Sequence, residues 1–269
     1  MSVPETKRCI FCGGSPTTVE DVFPLWLNNK LPRRNTRVTA VRAAGAPGLG
    51  PATTFKSIAY RAKAKVVCGP CNNVWMSGIE NRASTCLKSM LFSSLAVSLD
   101  NQSQLRLATW AMLKGLLVPY LEDDGAPPRG RAPRFRPTAD PRIVPSAHYD
   151  EFEKKREPWK KQVIYLAQHD GTLPSGAHTF NFMLTTRDSL PFTPPAEAYG
   201  VTFHIDKLVV QVFGHSAPAG FEAQFPQEFG PYVVRVWPVG QSIVWPPPHT
   251  MDARTLIGFR SAPGRIKAA

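Results

Sequence analysis

No acidic residue occurs between Asp21 and Glu80, and no histidine occurs before His148. Long apolar runs are missing as well. The longest, Leu105 to Leu121, is interrupted by Arg106 and Lys114 and is too short to cross a bilayer. The opening MSVPETKRC has no apolar core, so no secretory signal is expected. There is no phosphate-binding glycine loop, nucleophile elbow or long repeat, which sets aside the chemistries and solenoid architectures those motifs mark. Gly 19 and Pro 27 in 269 residues are too few and too scattered for a collagen-like chain, and a hydrophobic fraction of 43% excludes wholesale disorder. The length fits one large domain or two modest ones. The expectation is a soluble, cytoplasmic protein with no membrane partner.

The sequence has cationic charge in excess, a net +12 placed mostly at the front. Residues 1–100 hold 13 basic and 5 acidic residues; residues 161–269 hold 8 and 7. The acid-free interval contains Lys30, Arg33, Arg34, Arg37, Arg42, Lys56, Arg61, Lys63 and Lys65. An ordinary solvated surface mixes signs, because a field of one sign repels itself. Nine cations without an acid are better explained by a polyanionic partner: nucleic acid first, an anionic membrane second.

All five cysteines lie in the first 86 residues, and four form two Cys-x-x-Cys pairs, Cys9/Cys12 and Cys68/Cys71. The two-residue spacing lets both thiolates of a pair face one tetrahedral ion, and Gly13, Gly14, Gly69 and Pro70 permit the tight turns this needs. Disulfides are the competing reading, disfavoured in a cytosolic chain. A redox role would call for a βαβ pattern that is not seen. Structural zinc is expected, with a 55-residue insert between the knuckles. Cys86 falls on the helical apolar stripe Ile79, Ala83, Cys86, Leu87, Met90, Leu91, Leu95 and reads as a buried inert thiol.

After the first knuckle the chain runs Thr17-Thr18-Val19-Glu20-Asp21-Val22-Phe23-Pro24-Leu25-Trp26-Leu27. After the second it runs Asn72-Asn73-Val74-Trp75-Met76-Ser77-Gly78-Ile79-Glu80. Together with the cysteines, over residues 8 to 82, this resembles the HNH endonucleases, ββα-metal nucleases held together by a four-cysteine zinc. The resemblance implies that Glu20 matches the family's acidic ligand for a divalent cation. It implies that Asn72 matches the last residue of the name-giving triplet, also a ligand, and that Pro24 is the structural proline. Asp21 stands where the family carries its first histidine, the general base. Where the middle asparagine belongs, the chain has Ala62, Lys63 and Ala64. The base is therefore replaced, and a histidine base would have to come from the rest of the chain.

HNH hydrolysis needs a base to activate water and a cation to stabilise the leaving oxygen. Histidine suits the first role because it titrates near working pH, whereas an aspartate, at about 3.9, is a poorer base. Two readings follow. Glu20 and Asp21 jointly hold Mg²⁺ or Mn²⁺, with Asp21 or metal-bound hydroxide acting on the substrate; or the site is degenerate and the module binds nucleic acid without cutting it. A plainer reading makes Glu20-Asp21 a cap of the following short helix, and Asn72 or Asn73 a cap of the helix that begins near Val74. Glu80 would close a surface salt bridge with Arg82 or Lys88, or approach the metal.

Beyond the module, the stripe from Ile79 to Leu95 predicts a helix, broken at Asp100-Asn101. A second helix is expected from Ser103 to Leu121, apolar nearly all round and hence buried. Six prolines between 122 and 146 predict a loop, in which Arg129, Arg131, Arg134 and Arg136 interleave with Phe135. A short helix is expected from Ser146 to Glu157. Val163–Leu166 reads as a strand, and alternating patterns at Phe180–Leu184, Val201–Ile205 and Leu208–Val212 predict antiparallel strands. Val234–Val236 and Ile243–Trp245 read as a hairpin around a Pro238–Gly240 turn. His204 reads as an ordinary strand histidine facing away from Phe203 and Ile205, and Arg254 to Ala269 as a loose basic tail.

The expected fold is α+β. A zinc-bound, treble-clef-like ββα-metal module with the basic insert spans 1–82. A helical region spans 83–157, and an antiparallel β-rich domain spans 158–269. The expected function is metal-dependent hydrolysis of DNA phosphodiester bonds, active or degenerate. The alternative is a non-catalytic zinc-stapled nucleic-acid-binding protein, and a third class is an assembly protein that reuses the fold. Cys9, Cys12, Cys68 and Cys71 would hold structural Zn²⁺. Glu20, Asp21 and Asn72 would surround a catalytic Mg²⁺ or Mn²⁺.

Overall fold

A computed structural model describes residues 8–14, 17–30, 37–42, 54–58, 63–120, 144–173, 176–184, 193, 195–224, 226–261 and 265–268. The Pro/Arg stretch 122–143, with Arg129, Arg131, Arg134, Phe135 and Arg136, lies outside them. In chain order the elements are β1 (Thr17–Asp21), α1 (Leu25–Lys30), β2 (Arg37–Arg42), β3 (Thr54–Ile58) and β4 (Lys63–Cys68). A π-wound turn, Cys71–Met76, leads into α2 (Ser77–Phe92), followed by β5 (Val97–Leu99), α3 (Asn101–Leu117) and α4 (Ser146–Lys155). Then come β6 (Gln162–Gln168), β7 (Gly176–Met183), β8 (Glu197–Ile205), β9 (Leu208–His215), β10 (Phe221–Gln224) and β11 (Val233–Trp237). The chain ends with β12 (Ile243–Trp245), α5 (Ala253–Ser261) and β13 (Arg265–Ala268). Among the described residues no helix is long and apolar enough to cross a membrane.

The mixture of helices and largely antiparallel sheets agrees with an α+β fold. A seven-stranded sheet runs β11-β6-β9-β8-β7-β2-β3, antiparallel except where β2 joins β7 in parallel. Two strands from the insert between the knuckles thus form one edge of the sheet built by the second half of the chain. β1 and β4 make a separate antiparallel pair. One hydrophobic cluster extends from Cys9 and Phe11 through α2 and α3 to Val236 and Trp245.

From Leu107 to Leu117 α3 is buried on every side, because that stretch offers no polar face, and it lies on one surface of the large sheet. Trp110 packs edge-on against Phe203 of β8, and Gly115 lets the helix backbone approach Val212 of β9. Asp100 does more than break the preceding helix: its Oδ1 accepts the Ser103 N–H at 2.7 Å and caps α3. α5 covers the opposite surface, where the Gln211 side chain donates to the Phe259 carbonyl at 3.1 Å. Both faces of β8 and β9 are therefore buried, although their sequences alternate. His204 is correspondingly buried, its ring 5.2 Å from that of His169, and is not a surface histidine.

Four further expectations are corrected. β11 and β12 do not form a hairpin: β11 pairs with β6, and β12 with β5. The segment read as a loose tail holds α5 and β13, which pairs with β10. Glu80 bonds neither Arg82 nor Lys88; it forms an ion pair with Lys114 of α3, whose side chain is only 1% exposed. Cys86 is half-buried against the core rather than enclosed.

Candidate metal centre

The four sulfurs of Cys9, Cys12, Cys68 and Cys71 lie within 4.8 Å of one another. Two structural units converge to put them there. The first knuckle closes on itself. The Cys9 N–H donates to the Gly14 carbonyl at 2.8 Å, and the Gly13 N–H donates to the Cys9 carbonyl at 2.9 Å. Gly13 has φ +69°, a left-handed turn that favours a residue without Cβ. The Ile10 N–H donates to the Val66 carbonyl at 2.9 Å, which fastens this knuckle to β4. The second unit is β4 itself, which ends at Cys68 and turns through Gly69-Pro70 into the π-wound turn opened by Cys71.

The tetrad can hold a metal ion. A Zn–S bond of about 2.3 Å in a tetrahedral site implies sulfurs about 3.8 Å apart. Cys12 and Cys68 stand 3.5 Å apart, far longer than a disulfide bond of about 2.05 Å, and all five cysteines are free. The thiol chemistry agrees. The Gly14 N–H, 3.4 Å from its sulfur, lowers the pKa of Cys12. Burial raises that of Cys68 and lifts that of Cys71 well above the usual thiol range. Coordination deprotonates a thiol outright, so a bound cation removes the cost of burying this cluster.

Aromatic rings wall the tetrad. Phe11, inside the first knuckle, meets the Trp75 ring edge-on at 5.0 Å, and Trp75 meets Phe152 of α4 at 6.0 Å. The Trp75 indole N–H is buried without a full hydrogen bond and favours the ionised form of Cys71. Arg156, just past α4, lies over the other side of that indole, 3.8 Å from its centroid. None of this aromatic and cationic wall was expected from the sequence. The i, i+4 spacing of Cys71 and Trp75 was the available signal for its first member.

The remaining expected site residues are distributed as follows. Glu20 and Asp21 end β1, opposite Ala64 and Lys63 of β4, just after a register shift between Thr18 and Glu20. Asp21 is exposed; the Glu20 side chain lies outside the described set. They belong to a strand and not to a helix cap. Asn72 sits within the π-wound turn, directly after Cys71, where its side-chain amide donates to Asn73 Oδ1 at 3.5 Å; the cap position of the turn is Pro70, without a side-chain bond. Lys63 and Lys65 are exposed on β4, and Lys30 is exposed at the end of α1. Arg37 and Arg42 fall on β2 and Lys56 on the edge strand β3, of which only the backbone is described; Arg33, Arg34 and Arg61 lie outside the described residues. Among the described residues the cysteine tetrad is the one group of three or more cysteine, histidine or acidic side chains close enough to share an ion. No protein-family model, curated protein or solved structure matches the chain.

Proposed function

We propose that the chain is an HNH-like, zinc-stapled module that grips DNA and hydrolyses its phosphodiester bonds. Zn²⁺ on Cys9, Cys12, Cys68 and Cys71 would lock the β1–β4 pair to the helix that follows. One observation carries the reading. The β1–β4 pairing shifts register immediately before Glu20-Asp21, where Val19 of β1 faces two residues of β4, Lys65 and Val66, and β4 runs on into the tetrad, from which Asn72 departs. Such bulges re-aim side chains and concentrate beside active sites. The acid pair and the amide supply hard oxygen donors suited to Mg²⁺ or Mn²⁺. A cation held there would supply positive charge for the leaving oxygen. Asp21, exposed and on the cross-strand pair with Lys63, takes the role of proton acceptor for the attacking water. The cations of the insert bind phosphates and fix the strand.

A specific observation favours a second reading, binding without cleavage. His148, His169, His178, His204 and His215 are all buried on or against the large sheet. None of them is thereby an exposed base for the hairpin. Purified protein incubated with supercoiled plasmid and Mg²⁺ or Mn²⁺ separates the two. Wild type should nick, and Asp21→Asn should nick at least about 10²-fold more slowly while keeping one zinc per chain. No nicking in any metal, with plasmid binding that falls steeply with salt, would leave the second reading.

A further inference from the structure

We propose that the cleft between α2, α3 and the end of α4 binds a nucleotide unit, with its phosphate on an arginine rim and its apolar face on the floor. Where that nucleotide belongs to a DNA strand, the proposal rests on the reading above. The cleft has a volume of about 280 Å³. Four cations line it, Arg82, Arg106, Lys155 and Arg156, against one acid, Glu157. Their commitments differ. Lys155 is paired with Glu151, and Arg156 with Glu153 at 3.0 Å. Arg82 of α2 and Arg106 of α3 close no salt bridge among the described residues. Arg106 acts only at a distance, on the exposed Asp100 carboxylate, so two guanidinium groups without an ion pair meet at one opening, an arrangement that favours an anion. Their forked donors match a phosphate better than a point charge would.

The floor argues for more than a bare ion. Ile79 and Thr109 are buried there and Leu105 is half-buried, so the cleft offers apolar surface below its charged rim. Its fourth cation is held in a conformation that ordinary residues avoid. Arg156 has φ +58° and stacks on Trp75, which in turn touches Phe11 of the first knuckle. That conformation ends α4: the Arg156 N–H donates to the Phe152 carbonyl and fixes where the side chain leaves the helix. The rim is thus built onto the wall of the metal centre.

The test uses the full chain with two probes, a fluorescein-labelled single-stranded 12-mer and free dAMP, with deoxyadenosine as the phosphate-free control. Variants are Arg82→Gln/Arg106→Gln and the charge-retaining Arg82→Lys/Arg106→Lys, both checked for native far-UV circular dichroism. Arg82→Gln/Arg106→Gln should bind the 12-mer at least about ten-fold more weakly. Its salt slope should be shallower by about 0.7 for each phosphate that is no longer neutralised. The lysine pair should recover part of the affinity. If only the 12-mer responds, the nucleotide is part of a strand. If dAMP binds wild type, fails on the glutamine pair, and deoxyadenosine binds neither, the free nucleotide is a ligand. Cleft-dependent dAMP binding without any 12-mer or duplex binding would keep the cleft and sink the DNA reading. Equal binding of both probes by wild type and the glutamine pair would overturn the cleft and leave the DNA reading standing. No binding of either probe by wild type would overturn the cleft, and the plasmid assay then decides the DNA reading separately.

Discussion

Gly200 and Gly214 show how single residues set the packing of the large sheet. A Cβ built at Gly200 would stand 2.2 Å from the Phe180 ring, and one at Gly214 would stand 2.6 Å from the Tyr199 ring. Each ring lies flat over a neighbouring strand where only a glycine leaves room. The Tyr199 hydroxyl is fixed there by the Gln162 amide at 2.7 Å and by His148 Nδ1 at 2.8 Å, so it cannot easily swing away. Gly200→Ala should therefore lower stability by roughly 1–3 kcal/mol through forced displacement of Phe180. Urea unfolding read by circular dichroism measures it, and an unchanged midpoint would show that the ring relocates at no cost. At this scale the cysteine tetrad was legible in the sequence, because the geometry of a Cys-x-x-Cys knuckle is local. The glycine sites were not, since a glycine in an alternating pattern announces close approach without naming the ring that approaches.

At the scale of elements, α2 and α3 are joined by a charge pair inside an otherwise apolar contact. Lys114 lies in the last turn of α3 with its side chain 1% exposed, paired with Glu80 of α2, which is 22% exposed. Removing the acid alone strands a buried ammonium, whereas removing both charges leaves an ordinary apolar contact. Glu80→Ala should cost about 3 kcal/mol, and Glu80→Leu/Lys114→Met should recover most of it, measured by urea unfolding of each variant. Equal destabilisation of the two proteins would mean that the pair contributes more than the packing that replaces it. The periodicity of α2 and α3 was readable because a helix writes its burial into its own sequence. Partnership between elements was not. The patterns of β11 and β12 mark strands, yet their partners, β6 and β5, lie far away in the chain. α5 was missed in a short basic segment, although Asp252, which accepts the Thr255 N–H at 2.7 Å, was an available start signal.

For the whole molecule, five of the six histidines are buried, and burial is the first cause holding each below its ordinary value. His148 and His204 are lowered to about 3 and His215 to about 4; His169 and His178 are lowered as well. The unfolded chain takes up protons near pH 6.5, whereas the native chain does not until its own lower values are reached. The stability these groups confer is present above about pH 6.5 and is lost as pH falls toward 4. Each histidine contributes at most about 1.4 kcal/mol per pH unit. The urea midpoint should fall steadily from pH 7 to pH 4.5, and His204→Phe should flatten the profile; a level wild-type profile would contradict this. The order of the sheet was the least legible property, because it depends on residues far apart in the chain. In synthesis, Ala40 of β2 waits for Ala177 of β7, its parallel partner. At ribosomal speed that wait is on the order of ten seconds, during which β2 and β3 present an open edge to every neighbouring nascent chain. Arg37, Arg42 and Lys56 lie on that edge, in the acid-free interval. Positive charge on such an edge opposes strand addition by a second unfinished copy that carries the same charges.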